Sequence, residues 1–158
     1  MFYKKKIKYK QKIVQTKRVT KVTKGGKKMT FRIIVIIGTN FKKVGLGIGH
    51  SKDTFLALQK AIKNAKKNLI QVPVTKLYSI AKSLIIKYKA CKILFYPVNY
   101  GKGIIANKNI RTILQFCGIK NILTKQLGSN NILNNLKATF LALIFLKKFN
   151  NYKKIEYL

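Results

Sequence analysis

The sequence predicts an α+β protein built in two lobes, and three observations support this fold class. Segments rich in β-branched residues alternate with segments of helical periodicity, in the order β-β-α followed by β-β-α-β-α. Pro73 interrupts the chain between these two groups. Of the 158 residues, 47% are hydrophobic, so the chain can bury one ordinary core or two small ones.

The first lobe is predicted to begin with extended basic chain and to continue as a β-hairpin. Residues 18–28 alternate β-branched and basic side chains up to a Gly-Gly pair, which is typical of an edge strand or extended loop that ends in a turn. Residues 29–37 and 42–50 are rich in β-branched residues, and a four-residue connection with glycine and asparagine predicts a hairpin between them. Residues 33–37 are apolar on both faces, so that strand is expected to be central in its sheet.

A helix completes the first lobe. Apolar residues recur at helical spacing between Phe55 and Leu69, and four lysines occupy the other side. Ser51 or Asp53 can cap its start, and we expect it to end within residues 68–71. The lysine face is either the solvated side of an amphipathic helix or a surface that meets phosphate. The four cations without an anion favour phosphate.

The second lobe is predicted to contain more strands and two helices. A glycine loop over residues 100–105 precedes its first helix, and Gly118 fits the C-terminal cap of that helix. The predicted elements are a strand pair over 76–88, a strand over 92–98, a helix over 107–116, a strand over 119–127 and a helix over 132–148.

The charge of the chain points to a polyanionic partner. The chain has thirty-five basic and only two acidic side chains, which gives a net charge of +33 and strong self-repulsion in the compact state. Nucleic acid is the obvious partner, because each neutralised phosphate releases a condensed counterion. Residues 1–28 carry eleven lysines and Arg18 without an acid, so they are either a solvated tail or, as the density favours, an arm along a phosphate backbone. Asp53 and Glu156 are the only acidic residues, so acid/base catalysis by paired carboxylates is not expected.

Metal, cofactor and membrane roles are not expected. Cys91 and Cys117 lack CxxC spacing and His50 is the only histidine, so the thiols are read as small buried apolar residues and no metal or cofactor is predicted. The apolar runs are far shorter than the ~20 residues that span a bilayer. Basic charge comes from 32 lysines and only three arginines, which indicates an A/T-biased genome such as that of an organelle.

Three glycines alternate with apolar residues at positions 45, 47 and 49. The spacing does not match the G-x-G-x-x-G dinucleotide motif, and no acidic residue follows about 20 positions later to hold a ribose. In a strand, this alternation leaves one face without side chains, so another backbone can approach closely. That backbone is either a packed helix or RNA, and the two interpretations are not exclusive.

Two blocks of motifs now resemble one family, bacterial-type small-subunit ribosomal protein five. The first block comprises Lys24-Gly25-Gly26-Lys27, residues 44–49, residues 57–61 and residues 65–70. The second comprises residues 101–106, Arg111, Leu114, residues 118–122 and residues 128–130. Together they cover residues 11–146 in the order and spacing of the family. The chain departs from the family pattern at His50, where lysine is usual, and at Asn107, where glycine is usual.

The resemblance implies a fold for each part of the chain. Residues 11–74 would form a double-stranded-RNA-binding-domain-like lobe of β-sheet plus helix, and residues 75–148 a left-handed β-α-β lobe. Residues 1–10 would be a basic N-terminal extension, and residues 149–158 a short basic tail.

The resemblance also implies partners and a structural role. The chain would bind small-subunit rRNA near the mRNA entry path, contact ribosomal proteins four and eight, and support translational accuracy through protein four, without catalytic residues or enzymatic activity and without forming a homo-oligomer. Together with the A/T-biased composition, the expected ribosome is that of a relict or reduced plastid, with a mitochondrion second and an A/T-rich bacterium third. The protein subunit of ribonuclease P and a nucleoid-compacting protein are the two alternatives.

Charge and resemblance together predict two sets of site residues. The expected rRNA contacts are Lys17, Arg18, Thr20, Lys21, Lys24, Gly25, Gly26, Lys27, Lys28, Arg32, Lys42, Lys43, Gly47, Gly49, His50, Lys52, Lys66, Lys67, Ser129 and Asn130. The expected interface with protein four comprises Gly101, Lys102, Gly103 and Arg111.

Overall fold

The structure, a computed structural model, describes the backbone of residues 9–39 and 43–155 and the side chains of residues 9–39 and 43–147. Within these ranges it has two four-stranded sheets and three helices, which confirms the predicted α+β class with two lobes. The elements are β1 (Lys10–Thr23), β2 (Gly26–Thr39), β3 (Lys43–Ser51), α1 (Thr54–Lys67), β4 (Leu69–Gln71), β5 (Leu84–Tyr88), β6 (Cys91–Pro97), β7 (Ile104–Ile105), α2 (Lys108–Phe116), β8 (Ile122–Gly128) and α3 (Ile132–Ile155).

The first lobe is an antiparallel sheet in the order β1-β2-β3-β4, with α1 on one face. The predicted hairpin between β2 and β3 is confirmed. The basic segment before it is the edge strand β1, which pairs with β2 along its whole length apart from a bulge between Ile13 and Gln15. The predicted turn joins β1 to β2 through Lys24 and Gly25, and Gly26 follows with a φ of +122° that favours glycine.

Residues 33–37 of β2 are central and buried, as predicted. Ile33, Val35 and Ile37 pack against α1, whereas Ile34 and Ile36 on the opposite face join the core of the second lobe. One continuous apolar core therefore extends from the first sheet into the second lobe. Both faces of β2 are packed, one against α1 and the other against the second lobe.

The second lobe is a sheet in the order β5-β6-β8-β7, in which β7 and β8 are parallel and α2 connects them. The predicted strand pair over 76–88 is wrong: only β5 forms there. The chain before it turns tightly, because Thr75 Oγ1 accepts a hydrogen bond from the backbone N–H of Ser79 and donates one to the carbonyl oxygen of Ser79, each 3.1 Å long. The sequence analysis also missed the short strand β7, and α3 extends to Ile155, beyond the predicted end at 148.

The ends of α2 explain its position in the sequence. The side chain of Asn107 caps the first turn by accepting a hydrogen bond from the backbone N–H of Asn109. At the other end, Gly118 has a φ of +78°, and the backbone N–H groups of Gly118 and Ile119 donate to helix carbonyls, which is the Schellman pattern. The predicted glycine cap is confirmed.

The two cysteines are free thiols buried in the second lobe, as predicted. Burial raises the pKa of the Cys117 thiol far above its usual range. No helix among the described residues is both long and apolar enough to cross a membrane.

Candidate nucleic-acid interface

The distal half of the β1–β2 hairpin, residues 17–32, extends beyond the packed core, and we call it the basic hairpin. Its side chains are exposed on both faces, apart from partial burial at Thr23 and from Thr30 onward. The turn is open as well, since a Cβ added to Gly25 or Gly26 would meet no heavy atom within 4 Å. A backbone of another molecule can therefore approach the tip without steric hindrance.

The register of the basic hairpin places cations directly opposite each other. Lys17 pairs with Arg32 and Lys21 pairs with Lys28, and all four lie on one face because they are separated by even numbers of residues along each strand. Arg32 in turn pairs with His50 on β3, which extends the row across three strands. Like charges in directly opposite positions destabilise a sheet. This face therefore gains stability when an anion lies on it.

The opposite face of the basic hairpin is a shallow basic hollow. Arg18, Thr20 and Lys27 line it together with Val22 and Met29, around a volume of about 550 Å³. The guanidinium Nε of Arg18 lies 2.6 Å from the sulfur of Met29. The hairpin thus offers cations on both faces and at its turn, where Lys24 stands.

The other predicted lysines lie elsewhere in the first lobe. Lys43 is half-buried at the start of β3, at the opposite end of that strand from His50, and Lys52 is exposed just before α1. Lys66 and Lys67 are on the last turn of α1, and the ammonium of Lys66 lies 5.4 Å from the ring centre of Tyr9. Lys42 lies outside the described residues.

The glycine stripe on β3 packs against a helix. A Cβ on Gly47 or Gly49 would collide with the backbone carbonyl oxygens of Ala61 and Ala57, respectively. The face left without side chains is therefore filled by α1 and is closed to RNA. Gly47 and Gly49 are assigned to helix packing on this face, and an rRNA contact of these two residues from another direction stays a prediction.

A ladder of polar side chains on α1 was missed by the sequence analysis. Asn64 Nδ2 donates to the carbonyl oxygen of Ile48 at 2.8 Å, and Asn68 Nδ2 donates to that of Leu46 at 3.5 Å. Lys60, assigned from sequence to the phosphate-facing side, instead directs its ammonium to the carbonyl oxygen of His50 at 3.5 Å. The relevant signal was the spacing of residues 60, 64 and 68, which matches carbonyls two residues apart on β3.

Ser129 and Asn130 lie in the second lobe, in the loop before α3, and are not gathered with the basic hairpin. Ser129 Oγ accepts a hydrogen bond from the backbone N–H of Asn131 at 3.2 Å, and Asn130 Oδ1 accepts one from Gln126 Nε2 at 3.2 Å. The Asn131 side chain in turn accepts from the backbone N–H groups of Leu133 and Asn134. These contacts fix the entry into α3.

The residues predicted to face protein four lie on the surface of the second lobe. Gly101 and Gly103 have φ values of +94° and +73°, a conformation that favours glycine, and Lys102 between them is exposed. The backbone of Gly103 is held by Asn121, whose Oδ1 accepts from its N–H at 3.2 Å. Arg111 is exposed on α2.

Two family models match the chain, one for each lobe. The model described as "Ribosomal protein S5, N-terminal domain" matches residues 9–73, and the model described as "Ribosomal protein S5, C-terminal domain" matches residues 86–156. The chain belongs to the ribosomal protein S5 family. Its predicted family is therefore confirmed, and S5 membership decides against the ribonuclease P and nucleoid alternatives.

Similar S5 proteins cover most of the chain. It is 45% identical over 150 residues to the small ribosomal subunit protein uS5c of Thalassiosira pseudonana, which spans 95% of the chain and 84% of the relative. It is 47% identical to uS5c of Trieres chinensis, over 83% of the chain and 71% of the relative. It is 42% identical to uS5 of Acaryochloris marina, over 90% of the chain and 80% of the relative.

These relatives bear on location and class. The proteins named uS5c are of the plastid type, and they confirm the predicted plastid ribosome over the mitochondrial alternative. S5 proteins are structural components of the small ribosomal subunit and not enzymes, which agrees with a chain whose net charge is +33 and which has only two acidic residues.

Proposed function

We propose that this S5 family member binds small-subunit rRNA through the basic hairpin, near the mRNA entry path, and supports translational accuracy through contact with ribosomal protein four. The observation that carries the RNA-binding part is the face with Lys17 opposite Arg32 and Lys21 opposite Lys28. Like charges opposite each other cost free energy in the isolated chain and gain it on a phosphate backbone, and three of these four side chains are exposed while Arg32 is half-buried.

The chemistry of the hairpin favours recognition of shape over sequence. Five of its seven cations are lysines, which make point-charge contacts to phosphate without the planar fork that arginine uses to read base edges. Double-stranded RNA is recognised chiefly through its backbone and 2′-hydroxyl groups. We therefore assign the hairpin to positioning folded rRNA.

The contact with protein four is proposed for the loop of residues 101–103 together with Arg111. Gly101 and Lys102 are exposed in that loop and Arg111 is exposed on α2, so both belong to the second lobe, whereas the basic hairpin belongs to the first. A contact with ribosomal protein eight belongs to the same proposal.

The RNA-binding part is tested with matched double variants. Lys21→Gln/Lys28→Gln removes one cross-strand lysine pair from the hairpin, and Lys87→Gln/Lys92→Gln removes a pair with the same directly opposite geometry from β5 and β6. The dependence of log K on log salt is measured with small-subunit rRNA. Each lost phosphate contact lowers the slope by ~1, so we expect a reduction of ~2 for the hairpin variant and little change for the control. Equal reductions would contradict the assignment to the hairpin.

The accuracy part is tested separately in a translation reaction with plastid-type small subunits. Arg111→Gln should change the frequency of misreading while the chain still enters subunits at full stoichiometry, because Arg111 is exposed and its side chain is not part of the core. Lys120→Gln, which removes another exposed cation of the second lobe, is the control. Unchanged misreading with Arg111→Gln would refute the role of this residue.

A further inference from the structure

A groove of about 430 Å³ lies at the junction of the two lobes. It is formed by the outer edge of β3, the last turns of α1 and the first half of α3. Its lining residues are Leu46, Ile48, Asn64, Lys67, Asn68, Lys137 and Phe140. The volume is within the ~300–1,000 Å³ range of sites that hold small molecules or single residues of a polymer.

The groove follows from the pairing of β3. Strand β4 pairs only with residues 43–45, so β3 has no strand neighbour at its outer edge from Leu46 onward. The amides of Asn64 and Asn68 bond the carbonyl oxygens that this leaves open. They thereby hold α1 beside the strand edge, and α3 forms the opposite side.

The electrostatics of the groove favour an anion. Lys67 and Lys137 enter it from two different helices. The only acid among the described residues, Asp53, precedes the start of α1, whereas the groove lies at the other end of that 14-residue helix, ~20 Å away at 1.5 Å per residue. No carboxylate in the described part of the chain therefore neutralises the two ammonium groups.

The remaining surface suits the flat face of a base. Leu46 is buried and Ile48 and Phe140 are half-buried, so they give the groove an apolar floor with one aromatic ring. The amides of Asn64 and Asn68 each use one N–H on a strand carbonyl, which leaves an oxygen acceptor and a second N–H. Such an acceptor and donor pair can hydrogen-bond the edge of a base.

We propose that this groove holds one unstacked nucleotide of small-subunit rRNA, with its phosphate between Lys67 and Lys137 and its base on the apolar floor. The inference rests on the proposed rRNA-binding function and adds a second contact, distinct from the basic hairpin. Single-stranded RNA is typically bound in this way, by cations along the backbone and apolar or aromatic side chains against the bases.

The test compares two double variants in assembled small subunits. Lys67→Gln/Lys137→Gln removes the groove cations, and Lys92→Gln/Lys125→Gln removes two exposed cations outside it. The rRNA bases are probed with dimethyl sulfate for adenine and cytosine and with a carbodiimide for uracil and guanine. We expect one unpaired nucleotide, or two adjacent ones, to lose protection in the groove variant and to reach the reactivity of rRNA without the chain, while the control matches wild type.

A second measurement leaves the lysines in place. A benzoylphenylalanine at position 140 should crosslink to the same nucleotide, whereas a crosslink only to a neighbouring protein would overturn the proposal. An unchanged reactivity pattern in subunits that contain the groove variant at full stoichiometry would overturn it too, and the function of the basic hairpin would stand. If the wild-type chain failed to protect rRNA anywhere, the proposed function and this inference would fail together.

Discussion

Replacing Gly47 with alanine tests how tightly α1 packs on β3. The added Cβ would lie 2.5 Å from the backbone nitrogen and 2.7 Å from the Cβ of Ala65, and closer still to the carbonyl oxygen of Ala61. Ordinary contact begins at 3.4 Å, so the contact with the Ala65 Cβ alone requires a retreat of about 0.7 Å. The atoms in the way are backbone or alanine, so no flexible side chain can move aside.

The cost has two physical sources. Overpacking of a well-filled core costs ~1–3 kcal/mol. A helix that moves away from the strand also stretches the hydrogen bonds from Asn64 and Asn68 to β3, each of which contributes ~0.5–1.5 kcal/mol. We therefore expect Gly47→Ala to lower the free energy of unfolding by ~2–4 kcal/mol.

The assay is urea unfolding followed by circular dichroism at ~1 M salt, where a Debye length of ~3 Å screens the self-repulsion of the chain. The control is Gly25→Ala, because a Cβ at Gly25 meets nothing within 4 Å. It should leave stability within ~0.5 kcal/mol of wild type. If Gly47→Ala were as harmless as the control, the close approach of α1 to β3 would be refuted.

Three further predictions concern α2 and its surroundings. Asn107→Ala should lower the free energy of unfolding by ~1 kcal/mol in urea, because it removes the cap on the Asn109 N–H and a 2.7 Å hydrogen bond to Gln126. Asn107→Ser should recover most of this loss, and equal losses in both variants would contradict capping. Gly118→Ala should cost ~1–2 kcal/mol through its φ of +78°, since its Cβ would meet no atom within 4 Å, and an unchanged midpoint would contradict this. Burial raises the pKa of the Cys117 thiol, so the folded chain keeps a proton that the unfolded chain releases above about pH 8.5, and stability should fall as pH rises beyond that value. In urea titrations at pH 8 and pH 10, Cys117→Ala should lessen this fall.

The sequence predicts well those elements whose buried residues form a recognisable local pattern. Residues 33–37 are apolar at every position, and only a central strand with both faces covered accounts for that run. Helix α1 has a stripe of apolar residues with lysines opposite, and the structure begins and ends it within a few residues of the predicted bounds. The β1–β2 turn was also predicted from a local signal, because a Gly-Gly pair favours a tight turn.

The errors arise where the structure depends on contacts distant in sequence. Residues 76–83 mix polar and apolar side chains, yet the hydrogen bonds between Thr75 and Ser79 fold the start of this segment into a turn. Strand β7 has two residues, too few for any periodicity, and exists because Ile104 and Ile105 pair with β8. No local pattern reports such pairings.

The same distinction, between local patterns and contacts distant in sequence, applies to the predicted site residues. The basic hairpin was found from composition, since charge density needs no knowledge of the fold. The roles of Gly47 and Gly49 depended on what occupies their open face, and that was decided by the match of α1 to β3. The glycine spacing predicted a strand face without side chains, but it did not predict that the α1 backbone fills that face.

The match between α1 and β3 follows from the two element geometries. Four residues advance a helix by ~6 Å, and two residues advance a strand by ~6.6 Å. Ala57, Ala61 and Ala65 therefore stay in step with the three glycines of β3, and the polar side chains at 60, 64 and 68 stay in step with the carbonyls beside them. One repeat thus builds the packing and also covers the open strand edge. The same repeat sets the wall of the interlobe groove, so a helix shift caused by Gly47→Ala should disturb the groove while leaving the open turn of the basic hairpin at Gly25 and Gly26 intact.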